Sequence, residues 1–450
     1  MNKFTKFAGL TTLGASLAAS LPAWAQEAAD TAAAAVEEVV EAVPTVDTGD
    51  TAWMLVSTVL VLFMILPGVA LFYGGLVRTK NMLSILMQTT AITALCIVIY
   101  VLYGYSFAFG GGEGPYFGGF AKVFLAGVTP DSLSGTIPEY VFIAFQMTFA
   151  CITSALIIGG FAERIKFKAV LLFVFLWVSI VYFPVAHMAW DANGLFFGWG
   201  VFDFAGGTVV HINAGIAALV GAICVGKRVG YGKDNMAPHS LTLTLVGAGI
   251  LFVGWFGFNA GSALSAGTLA GLAMLNTFTA TAGGILGWVI IEVMARGKAS
   301  MLGGASGMIA GLVAITPAAG AVGPVGAILL GALASLGAYY FVAVVKNKLG
   351  YDDSLDVFGI HGIGGIIGAV GAGIFAAPAL GGQGFPEGRG MGEQLFYQVS
   401  AIGITIIYCA VVSFILFKVV GALTGGLRVA ADAEREGLDI TSHGESAYHY

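Results

Sequence analysis

Charge is what this sequence has least of. Only 10% of its 450 residues are Asp, Glu, Lys or Arg, while 58% are hydrophobic. Soluble globular chains carry about 25% charged residues. So little charge cannot cover a water-exposed surface of this size, and a soluble enzyme is excluded. The 19 Lys and Arg form no patch or stripe, which excludes the electrostatic footprint of a nucleic-acid binder. Cysteine is sparse too. Cys96, Cys151, Cys224 and Cys409 lie in apolar stretches and form no CxxC pair, so a disulfide framework or a zinc site is not expected. They read as small buried hydrophobes.

Glycine, by contrast, is abundant at 67 residues, about twice its ordinary share of ~7%. With a mean hydropathy of +0.91, that composition describes helices packed closely through small residues in a membrane. Stretches free of Asp, Glu, Lys and Arg run over 52–77, 82–112, 140–162, 169–190, 204–226, 240–291, 299–345, 357–386 and 394–417. A spanning helix needs about 20 residues. The two longest stretches must therefore each hold two helices, with turns near Asn259–Thr268 and Thr316–Pro324. The sequence predicts an all-α polytopic membrane protein with eleven transmembrane helices over 51–427. A β-barrel is excluded, because its strands are ~10 residues of alternating polarity.

Two segments precede the spans. Lys3 and Lys6 lead an apolar run that ends in Ala23-Trp24-Ala25, the layout of a cleavable signal peptide over 1–25. Residues 26–50 carry seven acids and no Lys or Arg, and read as a solvated periplasmic arm. The basic residues then set the orientation. With the N-terminus outside, the outer loops carry only Lys122 and Arg389, while all the others beyond Lys3 and Lys6 of the signal lie in the inner loops, at the inner end of the last span or in the tail over 428–450. The positive-inside rule thus predicts an N-terminus on the outer side and a cytoplasmic tail.

The fifth and tenth spans share a pattern. Asp203, His211, Gly215, Ile216, Val220, Gly221 and Ala222 recur 150 residues later as Asp353, His361, Gly365, Ile366, Val370, Gly371 and Ala372. The two spans run in opposite directions in this topology. The match predicts two five-helix halves of inverted topology plus a final helix, with a site near the midplane where the halves meet. Ionisable groups inside a membrane are costly and functional by default. His211 and His361 are the pair to expect at that site, two neutral imidazoles able to pass a small polar molecule or a proton. A metal would want further ligands, and none is evident. His187, near the outer end of the fourth span, is a weaker candidate.

Phe145 and Phe149 sit four apart in the third span, as do Phe258 and Ser262 in the sixth, each pair on one helical face. With Trp177 they read either as packing and an interfacial aromatic belt or as a box holding a small cation over its rings. One motif fails. Gly221 to Lys227 fits GxxxxGK, but Arg228 follows in place of Ser or Thr and the run ends a membrane helix, so it is no phosphate loop.

Longer segments carry a resemblance. They are Pro67 to Leu76, Phe161-Ala162-Glu163-Arg164, Asp203 to His211, Gly254 to Ser262, Asp356 to Gly362, Glu434 to Asp439 and His443-Gly444-Glu445. Together they resemble the ammonium transporter family (Amt/Mep/Rh) in its bacterial form, from about residue 50 to the C-terminus. The resemblance implies a homotrimer in which each subunit has its own pore, conducting ammonium or ammonia without an enzymatic reaction. It implies an outer ammonium-binding site of Phe145, Trp177 and Ser262, with Asp203 holding the backbone near it. A gate of Phe149 and Phe258 would follow, then a pore lined by His211 and His361, with Trp255 and Thr316 beside it. It implies no cofactor and no metal, and a cytoplasmic PII-type regulatory partner. An ammonium sensor signalling through the tail is the alternative. The acidic arm and the Gly-rich loop over 378–393 depart from the family pattern.

Overall fold

The computed structural model describes residues 45–449. The expected signal peptide and most of the acidic arm lie outside the described residues. The arm's last residues are exposed and lead into the first helix. The Asp47 carboxylate accepts from the Asp50 backbone N–H at 2.9 Å, which caps the first helix. That helix begins at Thr48.

Eleven apolar helices follow among the described residues. They are α1 (Thr48–Leu76), α2 (Thr79–Phe109), α3 (Glu139–Phe161), α4 (Phe167–Gly198), α5 (Gly207–Val225), α6 (Leu241–Gly261), α7 (Thr268–Arg296), α8 (Met301–Ile315), α9 (Pro324–Leu349), α10 (Phe358–Phe375) and α11 (Met391–Leu423). Ten of them are long and apolar enough to cross a membrane. The exception is α8, whose length of about 22 Å at 1.5 Å per residue is less than a hydrocarbon core of about 30 Å. A two-stranded hairpin, β1 (Leu133–Ser134) with β2 (Ile137–Pro138), lies between α2 and α3.

Local chemistry sets many of the ends. Ser240 and Ser300 cap α6 and α8 with their hydroxyls, satisfying N–H groups that a helix start leaves without partners. Pro324 opens α9, where a missing N–H costs nothing. The two longest charge-free stretches do split into helix pairs, α6–α7 and α8–α9, with breaks at Ser262 and Thr316.

The helices pack in a recurring scheme. Among the first five, α1 lies on α3, and α2 lies on α3 and α4. Among the next five, α6 lies on α8, and α7 lies on α8 and α9. The fifth and tenth helices cross at the centre, and α11 runs over both. The outer faces are apolar: Met294, Val325, Phe396 and Ile407 are among many large hydrophobics left exposed. A soluble monomer rarely shows such patches, whereas lipid solvates them. This is a multi-pass membrane protein.

The crossing of α5 and α10 depends on two glycines. A Cβ on Gly215 would stand 2.4 Å from the Gly362 nitrogen, and one on Gly365 would stand 3.2 Å from the His211 Cβ. The two backbones are in contact, with no side chain between them.

One end of the bundle is laced by buried ion pairs. Glu163, after α3, takes Arg78 at 2.7 Å and Arg228 at 3.2 Å. Arg228 reaches on to Asp352 at 2.8 Å. The buried Arg164 guanidinium donates to the carbonyls of Gly226 and Asp352, at 2.6 Å each. The tail joins this end. Glu434, in the short α12 (Ala431–Glu436), holds Arg428 at 2.6 Å and accepts from Val229 N–H at 2.6 Å. Asp439 accepts from the N–H groups of Leu83 and Ser84 at 3.1 and 2.8 Å, at the start of α2. Burial pushes the Glu163 carboxyl up, but Arg228 and Arg78 together outweigh it and hold it below its ordinary value.

Two expectations follow. Gly215→Ala forces the α5–α10 contact apart and lowers stability by about 1–3 kcal/mol, the usual cost of overpacking. Gly403→Ala, where an added Cβ meets nothing within 4 Å, leaves the melting midpoint in detergent unchanged. Glu163→Gln leaves Arg78 and Arg228 without their shared carboxylate and costs about 3 kcal/mol at neutral pH. Because the folded pKa is depressed, the native carboxylate stabilises above the ordinary carboxyl range, and that contribution is lost as pH falls through the folded pKa. Melting midpoints of the two proteins therefore converge in acid. A gap that is constant with pH would contradict the charge argument.

Candidate functional site

The two histidine helices start in the same way. The Asp203 carboxylate accepts from the backbone N–H groups of Thr208 and Val209 at 3.0 and 3.1 Å. The Asp353 carboxylate accepts from Val357 and Phe358 at 3.1 and 2.8 Å. Each Asp satisfies the free N–H groups of a helix start and places an anion at the positive end of the helix. Eight residues on, His211 and His361 meet with Nδ1 to Nδ1 at 3.2 Å and ring centroids 5.3 Å apart. For that contact to be a hydrogen bond, one Nδ1 must carry a hydrogen and the other must not. The outer nitrogen of His211, Nε2, is buried and has no hydrogen-bond partner among the described residues.

A small cavity of about 10 Å³ runs beside the pair, walled by Val69, Phe72, Leu251, Trp255 and Ile309 with both histidines. That is close to the smallest space that admits a water-sized molecule. The Trp255 indole lies against His211 at 5.4 Å. Its Nε1–H donates to the Thr316 hydroxyl at 2.9 Å.

Above the histidines stand two stacked rings. Phe149 and Phe258 lie 4.2 Å apart and nearly parallel at 22°. Phe258 is 6.0 Å from the His211 ring. On the far side of these rings a wider cavity of about 420 Å³ opens. Gln146, Phe149, Trp190, Asp203, Phe204 and Ser262 are among the residues that line it. The Ser262 hydroxyl, at the end of α6, donates to the Phe258 carbonyl at 2.8 Å.

Most of the residues singled out from the sequence converge here. Phe149, Phe258, Ser262, Asp203, His211, His361 and Trp255 form one continuous file. Thr316 holds Trp255 from behind, and its carbonyl accepts from Ala205 N–H at 3.1 Å. It is a support for the file rather than part of its wall. Phe145 is buried one turn from Phe149, edge-on at 4.9 Å, and does not appear in the cavity wall. His187 faces elsewhere: its two ring nitrogens lie 2.7 and 2.8 Å from the carbonyls of Ala108 and Gly114.

Trp177 needs correcting. It is fully buried in α4, and its indole donates to the Ser413 hydroxyl of α11 at 3.0 Å. The tryptophan at the cavity is Trp190, at the far end of the same helix. It stands edge-on to Phe149 at 5.6 Å and donates to the Asp203 carbonyl at 2.8 Å. Thirteen residues separate the two, which in an α-helix turns them to different faces. The sequence held a signal for this: Trp190 closes its apolar stretch beside Asp191, where a cavity open to water must lie, whereas Trp177 sits mid-span. Gln146 and Phe204 carried no comparable signal.

A wide cavity, a ring constriction and a narrow histidine-lined gap in line through a membrane bundle define a protein of the channel or transporter class rather than an enzyme. Comparison with known proteins narrows the class. Residues 52–448 match the model of the Ammonium Transporter Family. The ammonium transporter of Aquifex aeolicus is 47% identical over 89% of this chain and 94% of its own length. That of Bacillus subtilis is 45% identical over 89% and 98%. Among solved structures, Saccharomyces cerevisiae Mep2 superposes with a TM-score of 0.78 at 35% identity, covering 86% of this chain and 88% of its own. A structure described as "Sensor Amt Protein" gives 0.81 at 28% identity, over 88% and 98%. The chain belongs to the ammonium transporter family.

The two tryptophans should separate by experiment. Trp190→Leu weakens ammonium uptake at low concentration while the melting midpoint stays close to wild type. Trp177→Ala lowers the melting midpoint, by about 3–5 kcal/mol of stability for an emptied aromatic site, and leaves half-saturation where it was. The reverse pattern would return the cavity role to Trp177.

Proposed function

We propose that this protein recruits ammonium at the 420 Å³ cavity and conducts ammonia past His211 and His361 to the cytoplasm, the proton lost near Phe149 and Phe258 either returning to the outer solution or crossing by way of the histidines. The observation that carries the reading is the partnerless Nε2 of His211 beside a gap of molecular width. An unmet ring nitrogen in an apolar interior costs free energy, and a passing ammonia offers it a hydrogen bond.

Energetics favour ammonia over the cation as the species in the gap. Taking a small ion into a low dielectric costs on the order of 20 kcal/mol in the Born limit. Removing a proton from a cation whose pKa is two or three units above ambient costs only about 3–4 kcal/mol. Potassium has no proton to lose, so the same gap rejects it. In the wide cavity, Phe149 and Trp190 supply ring faces for a cation and Ser262 supplies an oxygen. Asp203 acts through the backbone it caps.

The rest of the reading concerns architecture. The matched Asp caps, the matched glycines and the repeated packing scheme of α1–α5 and α6–α10 support two halves of inverted topology, with α11 added and α8 counted as the eighth of eleven spans. The basic ion-pair network and the docked tail then face the cytoplasm, and the wide cavity faces the periplasm. Family membership supports a homotrimer with a pore in each subunit, and a PII-type protein binding the tail end. A neighbour described as a sensor keeps a signalling reading in view; ammonium binding without flux is the result that would favour it.

The test is an ammonium pulse on purified protein in liposomes, against a potassium pulse and empty liposomes. An ammonium-specific current means that the proton crosses too; internal alkalinisation without current means that ammonia passes alone. Binding with neither signal overturns transport. His211→Ala is expected to lose selective ammonium flux at least tenfold, the change that corresponds to about 1.4 kcal/mol. Full, potassium-excluding flux in that variant would remove the histidine from the mechanism.

A further inference from the structure

Two fully buried glutamines stand in the first turns of α11: Gln394 and Gln398. Every polar atom they have is used. The Gln398 side-chain oxygen accepts from the Phe202 N–H at 2.7 Å, and its NH2 group donates to the Phe202 carbonyl at 3.1 Å. The amide thus pairs with both backbone groups of one residue. The same NH2 group donates to the Ala369 carbonyl of α10 at 2.8 Å. Gln394 donates to the Gly200 carbonyl at 3.0 Å and to the Gln398 oxygen at 3.2 Å. Arg389, from the Gly-rich loop before α11, donates to the Trp199 carbonyl at 2.6 Å and to the Gln394 oxygen at 3.0 Å. Its guanidinium rests on the Tyr397 ring at 4.5 Å.

What these groups hold is the wall of the wide cavity. Val201, Phe202, Asp203 and Phe204 line it, and Asp203 goes on to cap the helix that carries His211. Ala369 lies eight residues beyond His361 on the other histidine helix. Gln398 therefore ties the cavity wall to α10, and through Asp203 to α5. An apolar side chain of the same shape would fill the space without fixing the segment. Only a group with one acceptor and two donors can grip both sides of a peptide at set distances. A fully satisfied buried network of this kind specifies one arrangement, and a partly satisfied one does not.

We propose that Gln398 is a positioning residue for the ammonium site, setting the Phe202–Asp203 wall against the helix of His361, with Gln394 and Arg389 as its supports. This rests on the transport reading above. It also gives a role to the Gly-rich loop over 378–393, which departs from the family pattern. That loop delivers Arg389 to the Trp199 carbonyl.

The proposal is tested with Gln398→Met, which keeps the length and removes the hydrogen bonds. The full chain is assayed in liposomes across a range of ammonium concentrations. Losing a buried hydrogen-bond set should raise half-saturating ammonium about tenfold while maximal flux stays within about twofold. A role confined to stability would lower maximal flux, through loss of folded protein, and leave half-saturation unmoved; that result, or no change in either quantity, overturns the assignment. If Gln398→Met does not fold, Gln394→Met and Arg389→Gln decide. Each is expected to raise half-saturation at least about threefold, a loss within the span of one hydrogen bond. Unmoved values in both overturn the assignment. Wild-type protein without ammonium-specific flux overturns the transport reading, and this assignment with it. Wild-type flux with an unmoved variant overturns this assignment alone.

Discussion

The structure depends on one close approach. α5 and α10 touch backbone to backbone at Gly215 and Gly362, so the two imidazoles can meet at 3.2 Å instead of being held apart by intervening side chains. Everything nearby serves that crossing. Two carboxylates start the two helices in the same way, the turn after α8 braces Trp255 and the backbone before Gly206, and α11 lies over both helices and ties one to the wall of the wide cavity. In an interior packed at crystal density a displaced backbone is not absorbed locally. The glycine-rich composition is thus a requirement of the site and not only of the membrane.

Much of this is legible in the sequence, because membrane physics writes in long stretches. Runs without charge mark the helices, including the two pairs hidden in single runs, and the Asp-to-His spacing singles out the central pair without any coordinates. The end of the acidic arm is not legible in that way, because Asp47 and Asp50 count as charge in a composition window but act as cap and first turn in a helix. Trp177 misleads for a related reason. Both tryptophans sit in the same apolar stretch, and only helical phase and the neighbouring Asp191 distinguish them.

Other parts are not legible at all. Gln394 and Gln398 are isolated amides in an apolar helix, and most of the groups they bind are backbone, which a sequence does not label. Thr316 is visible as a residue of interest, but what it does is receive an indole N–H, and that pairing spans 61 residues. Side-chain pairing over such distances follows from tertiary packing, and no local period predicts it.

The ring column has a mechanical consequence. Trp190 touches Phe149, Phe149 is stacked on Phe258, and Phe258 meets both Trp255 and His211, which also touch each other. Phe149, Phe258, Trp255 and His211 are each 1% exposed or less. Phe258, Trp255 and His211 have almost no free space to swing into, so none of them can turn until its neighbours yield, whereas Phe149 and Trp190 border the wide cavity. The inner column behaves as a set of tumblers that must move together. Its throughput is then a property of collective side-chain motion, and a substitution that loosens any one tumbler changes the tempo of all the others.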